Sequence, residues 1–191
     1  MPIIPYTPKR TERPPRLIDV PSAWRGLESI IGDIVERFTI KQDKALEFGV
    51  EYGYSTVALS NFFRKVIGVD TFKGDEHTAD KNIQGLYEAV KDALKPYSNI
   101  QLMEKSYQEY IKTMYMNGPY NLIHIDIVHT YEDTFACGDW SVKQAPVILF
   151  HDTESFPDVK RAVEDLSIKH KLNFYNYPFN HGLGILCKSQ L

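Results

Sequence analysis

From Lys44 to the end, short apolar runs alternate with stretches of helical periodicity, and that alternation leaves the chain few folds to choose from. Lys44–Val50, Lys65–Asp70, Ile100–Met103, Asn121–Asp126 and Pro146–Phe150 read as buried strands. Between them Ser55–Arg64, Asn82–Leu94, Tyr107–Tyr115 and a segment within Thr130–Lys143 read as helices, and Val159–His170 reads as a further one. Strands alternating with helices imply right-handed βαβ units, so the strands should form a parallel sheet covered on both faces. The last two runs, Leu172–Tyr177 and Gly182–Lys188, suit a closing antiparallel pair. The expected fold is therefore α/β and doubly wound, a mostly parallel seven-stranded sheet with a C-terminal antiparallel strand. Ligands of such sheets bind beyond the carboxyl ends of the strands. Glu51, Asp70, Asp126, His151 and Asp152 all follow strand ends and should gather on one edge.

The N-terminal part is different. Residues 1–26 hold many of the prolines and few periodic apolar positions, and read as an extended arm lying on the body or on a partner chain, a route to a homo-oligomer. The domain proper is expected from residue 27 to 191, opening with an amphipathic helix over Leu27–Phe38. With 191 residues, one domain with a sizeable core is expected. The net charge of −3 argues against broad nucleic-acid or anionic-membrane binding. No apolar run is long enough to span a bilayer, and the N-terminus carries no secretory apolar stretch. Cys137 and Cys187 match no metal or redox spacing and read as reduced thiols of a cytoplasmic protein.

Three groups of residues carry chemistry. In A-L-E-F-G-V-E-Y-G-Y-S-T, Ala45–Thr56, a strand runs into a turn with Gly49 and Gly53 and then a helix. Gly49 allows a sharp turn and close approach of a ligand to the backbone. Ser55 could cap the helix or donate to a ligand carboxylate. Glu47 is an acid inside an apolar strand, costly unless paired, and could hold the glycine loop or an amino group. In V-I-G-V-D, Val66–Asp70, the terminal acid could accept from both hydroxyls of a ribose, or cap a loop. Asp70 follows Gly49 by 21 residues, near the spacing of about 20 expected of dinucleotide folds. The ordered glycines of a dinucleotide fingerprint are missing, which favours a mononucleoside. The third group is Asp126, His129, His151 and Asp152.

E-F-G-V-E-Y-G-Y-S-T followed by V-I-G-V-D-T-F resembles motifs I and II of class I S-adenosylmethionine (SAM)-dependent methyltransferases, which have a Rossmann-like fold. T-F-K-G-D-E-H (Thr71–His77), H-I-D-I-V-H-T-Y-E (His124–Glu132), G-D-W (Gly138–Trp140), F-H-D-T (Phe150–Thr153) and G-L-G-I-L (Gly182–Leu186) follow in order. Together they resemble a bacterial subgroup of small-molecule methyltransferases associated with glycan synthesis, with macrocin and other macrolide-sugar O-methyltransferases and cephalosporin-hydroxylase-like proteins among its relatives.

The resemblance implies transfer of a methyl group from SAM to a hydroxyl of a small acceptor, a sugar or a sugar-bearing molecule. It places Glu47, Gly49, Gly53 and Ser55 around the methionine part of SAM, Asp70 on the ribose, Thr71 and Phe72 in the pocket wall and Ser106 near the adenine. Ser106 suits a helix N-cap equally well. Relatives with sugar substrates hold a divalent metal at positions matching Asp126, His151 and Asp152, so Mg²⁺ or another divalent cation is an implied cofactor; a polar pocket without metal is the alternative. Asp126 also falls in the cofactor wall and in the catalytic set, beside His129 or His77 as general base. The chain departs from the relatives' I-D-G-x-H at Ile127–Val128. A non-catalytic SAM- or nucleotide-binding module and an NAD-linked oxidoreductase stand as the other readings. The tyrosines Tyr107, Tyr110 and Tyr115 read as helix packing, and the polar loop Thr71–Asp80 as a lid.

Overall fold

The structure is a computed structural model and describes residues 2–74, 84–113 and 118–188. Among these residues eight strands form one sheet in the order β1-β7-β8-β6-β5-β2-β3-β4. The parallel centre is β2 (Lys44–Phe48), β3 (Lys65–Asp70), β4 (Ile100–Glu104), β5 (Leu122–Ile125) and β6 (Val147–His151). β8 (Leu183–Cys187) runs antiparallel to both β6 and β7 (Asn173–Tyr177). These are the seven expected strands. The eighth, β1 (Ile4–Pro5), comes from the arm and pairs in parallel with β7 at the sheet edge. An edge strand presents unpaired N–H and C=O groups, and the arm covers them.

Among the described residues six helices flank the sheet: α1 (Ile31–Arg37), α2 (Tyr54–Ser60), α3 (Leu86–Leu94), α4 (Tyr107–Thr113), α5 (Tyr131–Ser141) and α6 (Pro157–His170). The helix expected over Leu27–Phe38 is a 3₁₀ turn, Leu27–Ile30, followed by α1. Strand residues alternate between the two faces. On β6, Val147 and Leu149 join the core under the arm, α1 and α2, while Ile148 and Phe150 join the core with Tyr110, Val163 and Leu166. Burial on both faces is why β6 reads as an unbroken apolar run.

The arm lies on the body. Tyr6 and Trp24 are each only 2% exposed, and burial of rings of this size contributes roughly 1.5–3 kcal/mol each. The Tyr6 hydroxyl donates to Asp33 of α1 at 2.5 Å, and the N–H groups of Lys9 and Arg10 donate to the same carboxylate. Among the described residues no helix is long and apolar enough to cross a membrane.

Candidate active site

A cavity of about 450 Å³ opens at the carboxyl ends of the parallel strands. Gly49 to Tyr52 and Ser55, from the turn after β2 and the start of α2, form one side, and Val69 to Phe72, after β3, form the next. Lys105 to Gln108 follow from β4, Asp126 to His129 from β5, and His151 and Asp152 from β6. The expected gathering of strand ends is observed. Glu51, Phe72, Asp152 and His181 all line the cavity with φ between +50° and +68°. Non-glycine residues in this conformation cost on the order of 1–3 kcal/mol each and cluster at functional sites.

At one end the Asp70 carboxylate faces the cavity and organises the turn around it. Its Oδ2 accepts from the N–H groups of Val50 (2.7 Å) and Glu51 (2.9 Å), and its Oδ1 accepts from Phe72 N–H at 2.7 Å. The loop-capping reading of Asp70 is observed, and it leaves capacity for a further donor, since a carboxylate offers about four acceptor sites. Thr71 and Phe72 are in the wall, and Phe72 packs against Tyr87. Ser106 lines the cavity and also caps α4: the N–H and hydroxyl of Ser106 donate to Glu109, and Glu109 N–H donates back to the Ser106 hydroxyl. This is a capping box, with two orphan helix groups satisfied reciprocally.

The glycines serve the protein first. A Cβ on Gly49 would lie 1.6 Å from the backbone oxygen of Asp126, so glycine is required by the neighbouring strand end; the residue also borders the cavity. Gly53 is left-handed at φ +89° and faces Leu94 of α3 rather than the cavity. Glu47 does not line the cavity either. It is fully buried on the face under the arm, where Thr56 donates to Oε2 and His124 Nδ1 lies 2.9 Å from Oε1.

At the other end lies a cluster of two acids and two imidazoles. His129 Nε2 is 2.9 Å from Asp152 Oδ2 and 3.6 Å from Asp126 Oδ1. His151 Nδ1 sits 3.1 Å from both Asp126 Oδ2 and Asp152 Oδ2, and its Nε2 faces the carbonyl of Asn180 at 3.3 Å. A carbonyl only accepts, so both nitrogens of His151 are donors and the ring is an imidazolium. Burial opposes that charge, but Asp126 and Asp152 outweigh it and hold the pKa up at about 10. Burial likewise opposes the charge on His129, and the same two acids beside it raise its pKa to about 9. Burial pushes both carboxyls up while the imidazoles pull them down further, so both stay below the usual range. His129 is stacked on Phe156 with ring centroids 4.0 Å apart.

The donor atoms of Asp126, His129 and Asp152 lie within 4.8 Å of one another, the spread a single cation needs. The expected set was Asp126, His151 and Asp152. The structure brings all four residues together, but both nitrogens of His151 are engaged as donors, and it is His129 that completes the convergent trio. His77 lies outside the described residues, as do Tyr115 and most of the loop Thr71–Asp80.

Several wall residues were not singled out by sequence reasoning: Pro21 to Trp24 of the arm, Tyr107, Gln108, Phe156 and His181. Tyr107 was read as packing, yet it lines the cavity while its hydroxyl donates to Asp133 at 2.7 Å. Tyr110 does pack, its hydroxyl 2.6 Å from that of Tyr120 in the core. No local pattern marks the arm residues, because strand and helix periodicity is silent on extended segments.

The geometry agrees with comparisons to known proteins. The family model described as "Methyltransferase domain" matches residues 46–153, more than half of the chain. A search of curated proteins finds none that matches by sequence. Among solved structures, a candidate caffeoyl-CoA O-methyltransferase from Staphylococcus aureus is similar with TM-score 0.66 at 14% identity, covering 91% of this chain and 86% of that one. The O-methyltransferase from Bacillus cereus in complex with SAH has TM-score 0.63 at 12% identity, covering 91% and 84%. TomG from Streptomyces achromogenes, an O-methyltransferase involved in tomaymycin synthesis and solved with SAM, has TM-score 0.61 at 12% identity, covering 82% and 77%. At these identities the likeness establishes the fold, and the family model carries the assignment: the chain belongs to the methyltransferase-domain family.

Proposed function

We propose that this protein transfers the methyl group of SAM to a hydroxyl oxygen of a small, sugar-containing acceptor. The observation that carries the reading is one cavity with two chemically distinct ends. Asp70 and Ser106 stand where a nucleoside would lie, and Asp126, His129 and Asp152 converge at the end where an acceptor hydroxyl must be oriented. Holding the two reactants in line supplies much of the rate in such a transfer. Asp126, His129 and Asp152 have the oxygen and nitrogen donors that suit a divalent cation and would hold it, the cation displacing the proton that the two acids otherwise keep on His129. Such a cation, when bound, lowers the pKa of a hydroxyl it touches. His151, an imidazolium between two carboxylates, fixes the orientation of both acids. Phe156 holds the plane of the His129 ring. The sugar class follows from the sequence resemblance; the polar groups at this end, including His181, are suited to a hydroxylated molecule.

The test measures SAH release from SAM with methyl glycosides and a catechol as acceptors, with Mg²⁺, with Mn²⁺ and in EDTA. Turnover on glycosides that EDTA suppresses and metal restores supports the whole reading. Turnover only on the catechol rejects the acceptor class, and full activity in EDTA rejects the cation.

A further inference from the structure

Trp24 belongs to the arm, yet it is a wall of the cavity. Its indole N–H donates to His124 Nε2 at 3.2 Å, and the two rings meet at a steep angle with centroids 5.3 Å apart. An indole nitrogen only donates, so His124 Nε2 accepts and Nδ1 carries the proton that is given to Glu47 at 2.9 Å. The Thr56 hydroxyl completes the chain on the other oxygen of Glu47. Glu47, Thr56 and His124 are all 0% exposed. Buried polar groups persist where each is satisfied by another, and here each one is.

The network joins the arm to β2, α2 and β5, and each member stands within two residues of a lining segment. Glu47 precedes Gly49 by two residues, Thr56 adjoins Ser55, and His124 precedes Asp126 by two. The arm has a second attachment. Asn180 Nδ2 donates to the carbonyl of Arg25 at 2.8 Å, while the Asn180 carbonyl accepts from His151. Between the two attachments the Arg25 guanidinium lies 5.0 Å above the Tyr54 ring. The arm therefore passes between Tyr54 and Asn180, over the end of the cavity that holds the acids and imidazoles.

We infer that Pro21–Trp24 is a ligand-contacting wall of the site, and that Trp24 is a positioning residue locking this wall through His124 and Glu47 to the turn after β2 and the loop after β5. The wall covers the amino-acid half of the cofactor and the entry of the acceptor. The inference rests on the SAM reading of the cavity. Its consequence is that ligand binding and arm docking are coupled: a ligand in the cavity holds the arm down, and a loosened arm releases the ligand.

The arm carries arginines at 16 and 25, which makes trypsin a direct probe of its docking. SAH affinity is measured by calorimetry, and cleavage after Arg16 and Arg25 is followed by mass with and without SAH, in the wild type and in W24F. W24F keeps an apolar ring and loses the N–H. We expect SAH to slow cleavage of the wild-type arm, and W24F to weaken SAH binding about tenfold and to lose that protection. An arm of purely structural importance would be cut at a rate indifferent to SAH. Should W24F fail to fold, N180A loosens the second attachment without touching the core and carries the same expectation. A wild type that binds SAH with an affinity the variants share, and an arm cut equally with and without it, overturns this inference alone. A wild type that binds no SAH overturns the cofactor reading and the inference with it.

Discussion

Replacing Gly49 by alanine distinguishes a glycine required by a ligand from one required by the fold. The added Cβ would sit 1.6 Å from the Asp126 carbonyl oxygen and 2.6 Å from its carbon, both backbone atoms that no rotamer change can move. The residue would also be held at φ +88°. The left-handed conformation costs about 1–3 kcal/mol. Forcing β2 and β5 apart at this point adds about 1–3 kcal/mol of overpacking. The Asp126 N–H to Phe48 carbonyl bond of 2.8 Å lies directly beside the clash, and losing it removes about a further 1 kcal/mol. Together these make about 3–7 kcal/mol, a large part of a typical stability of about 5–15 kcal/mol. For a chain of this size each kcal/mol lowers Tm by about 2–4 °C, so G49A should melt some 6–28 °C below the wild type without any ligand present. The assay is thermal unfolding followed by circular dichroism. A variant that melts within about 2 °C of the wild type and has merely lost SAH binding would refute the steric argument and restore the ligand as the reason for glycine.

Asp70→Ala removes the acceptor of three backbone N–H groups; it should weaken SAH binding by at least about tenfold and lower Tm, and calorimetry with an unchanged Kd would count against Asp70 as the ribose ligand. Ser106→Ala breaks the capping box at α4 and should cost about 1 kcal/mol in urea unfolding, with an effect on SAH affinity only if the hydroxyl also meets the cofactor. Asp126 and Asp152 hold His129 and His151 up at about 9 and 10 in the folded protein, against an ordinary 6.5, so the metal-free protein is the one to titrate. Raised values mean that their stabilisation is complete below pH 6.5 and fades as pH climbs through about 9 to 10. Asp126 and Asp152 are depressed, so their share is present above the ordinary carboxylate range and is lost as pH falls below it. Urea midpoints across pH should fall on both sides, and H151L should remove most of the alkaline fall.

The sheet was legible because its cause is local. Buried parallel strands must be apolar on both faces, and helices between them must show one apolar stripe; both signals survive in a single sequence. Acids after strand ends can therefore be assigned to one edge from the sequence alone, and Asp70, Asp126 and Asp152 are found there. Gly49 was legible as special, but the reason was not, since its neighbour is the carbonyl of Asp126, just past the end of β5 and 77 residues away. The role of Glu47 was hidden in the same way. A buried acid announces a partner without naming it; Thr56 and His124 become its partners, and Trp24 the partner of His124, only once β2, α2, β5 and the arm are packed together. The exchange of His151 for His129 in the convergent trio has a similar origin: both histidines follow strand ends, and only the Asn180 carbonyl, brought in by the turn between β7 and β8, occupies the second nitrogen of His151. Periodicity, which depends on neighbours along the chain, determined the elements and their class. Close approach between distant segments, which depends on the packed sheet, decided which polar groups face the cavity and which are consumed in holding it together.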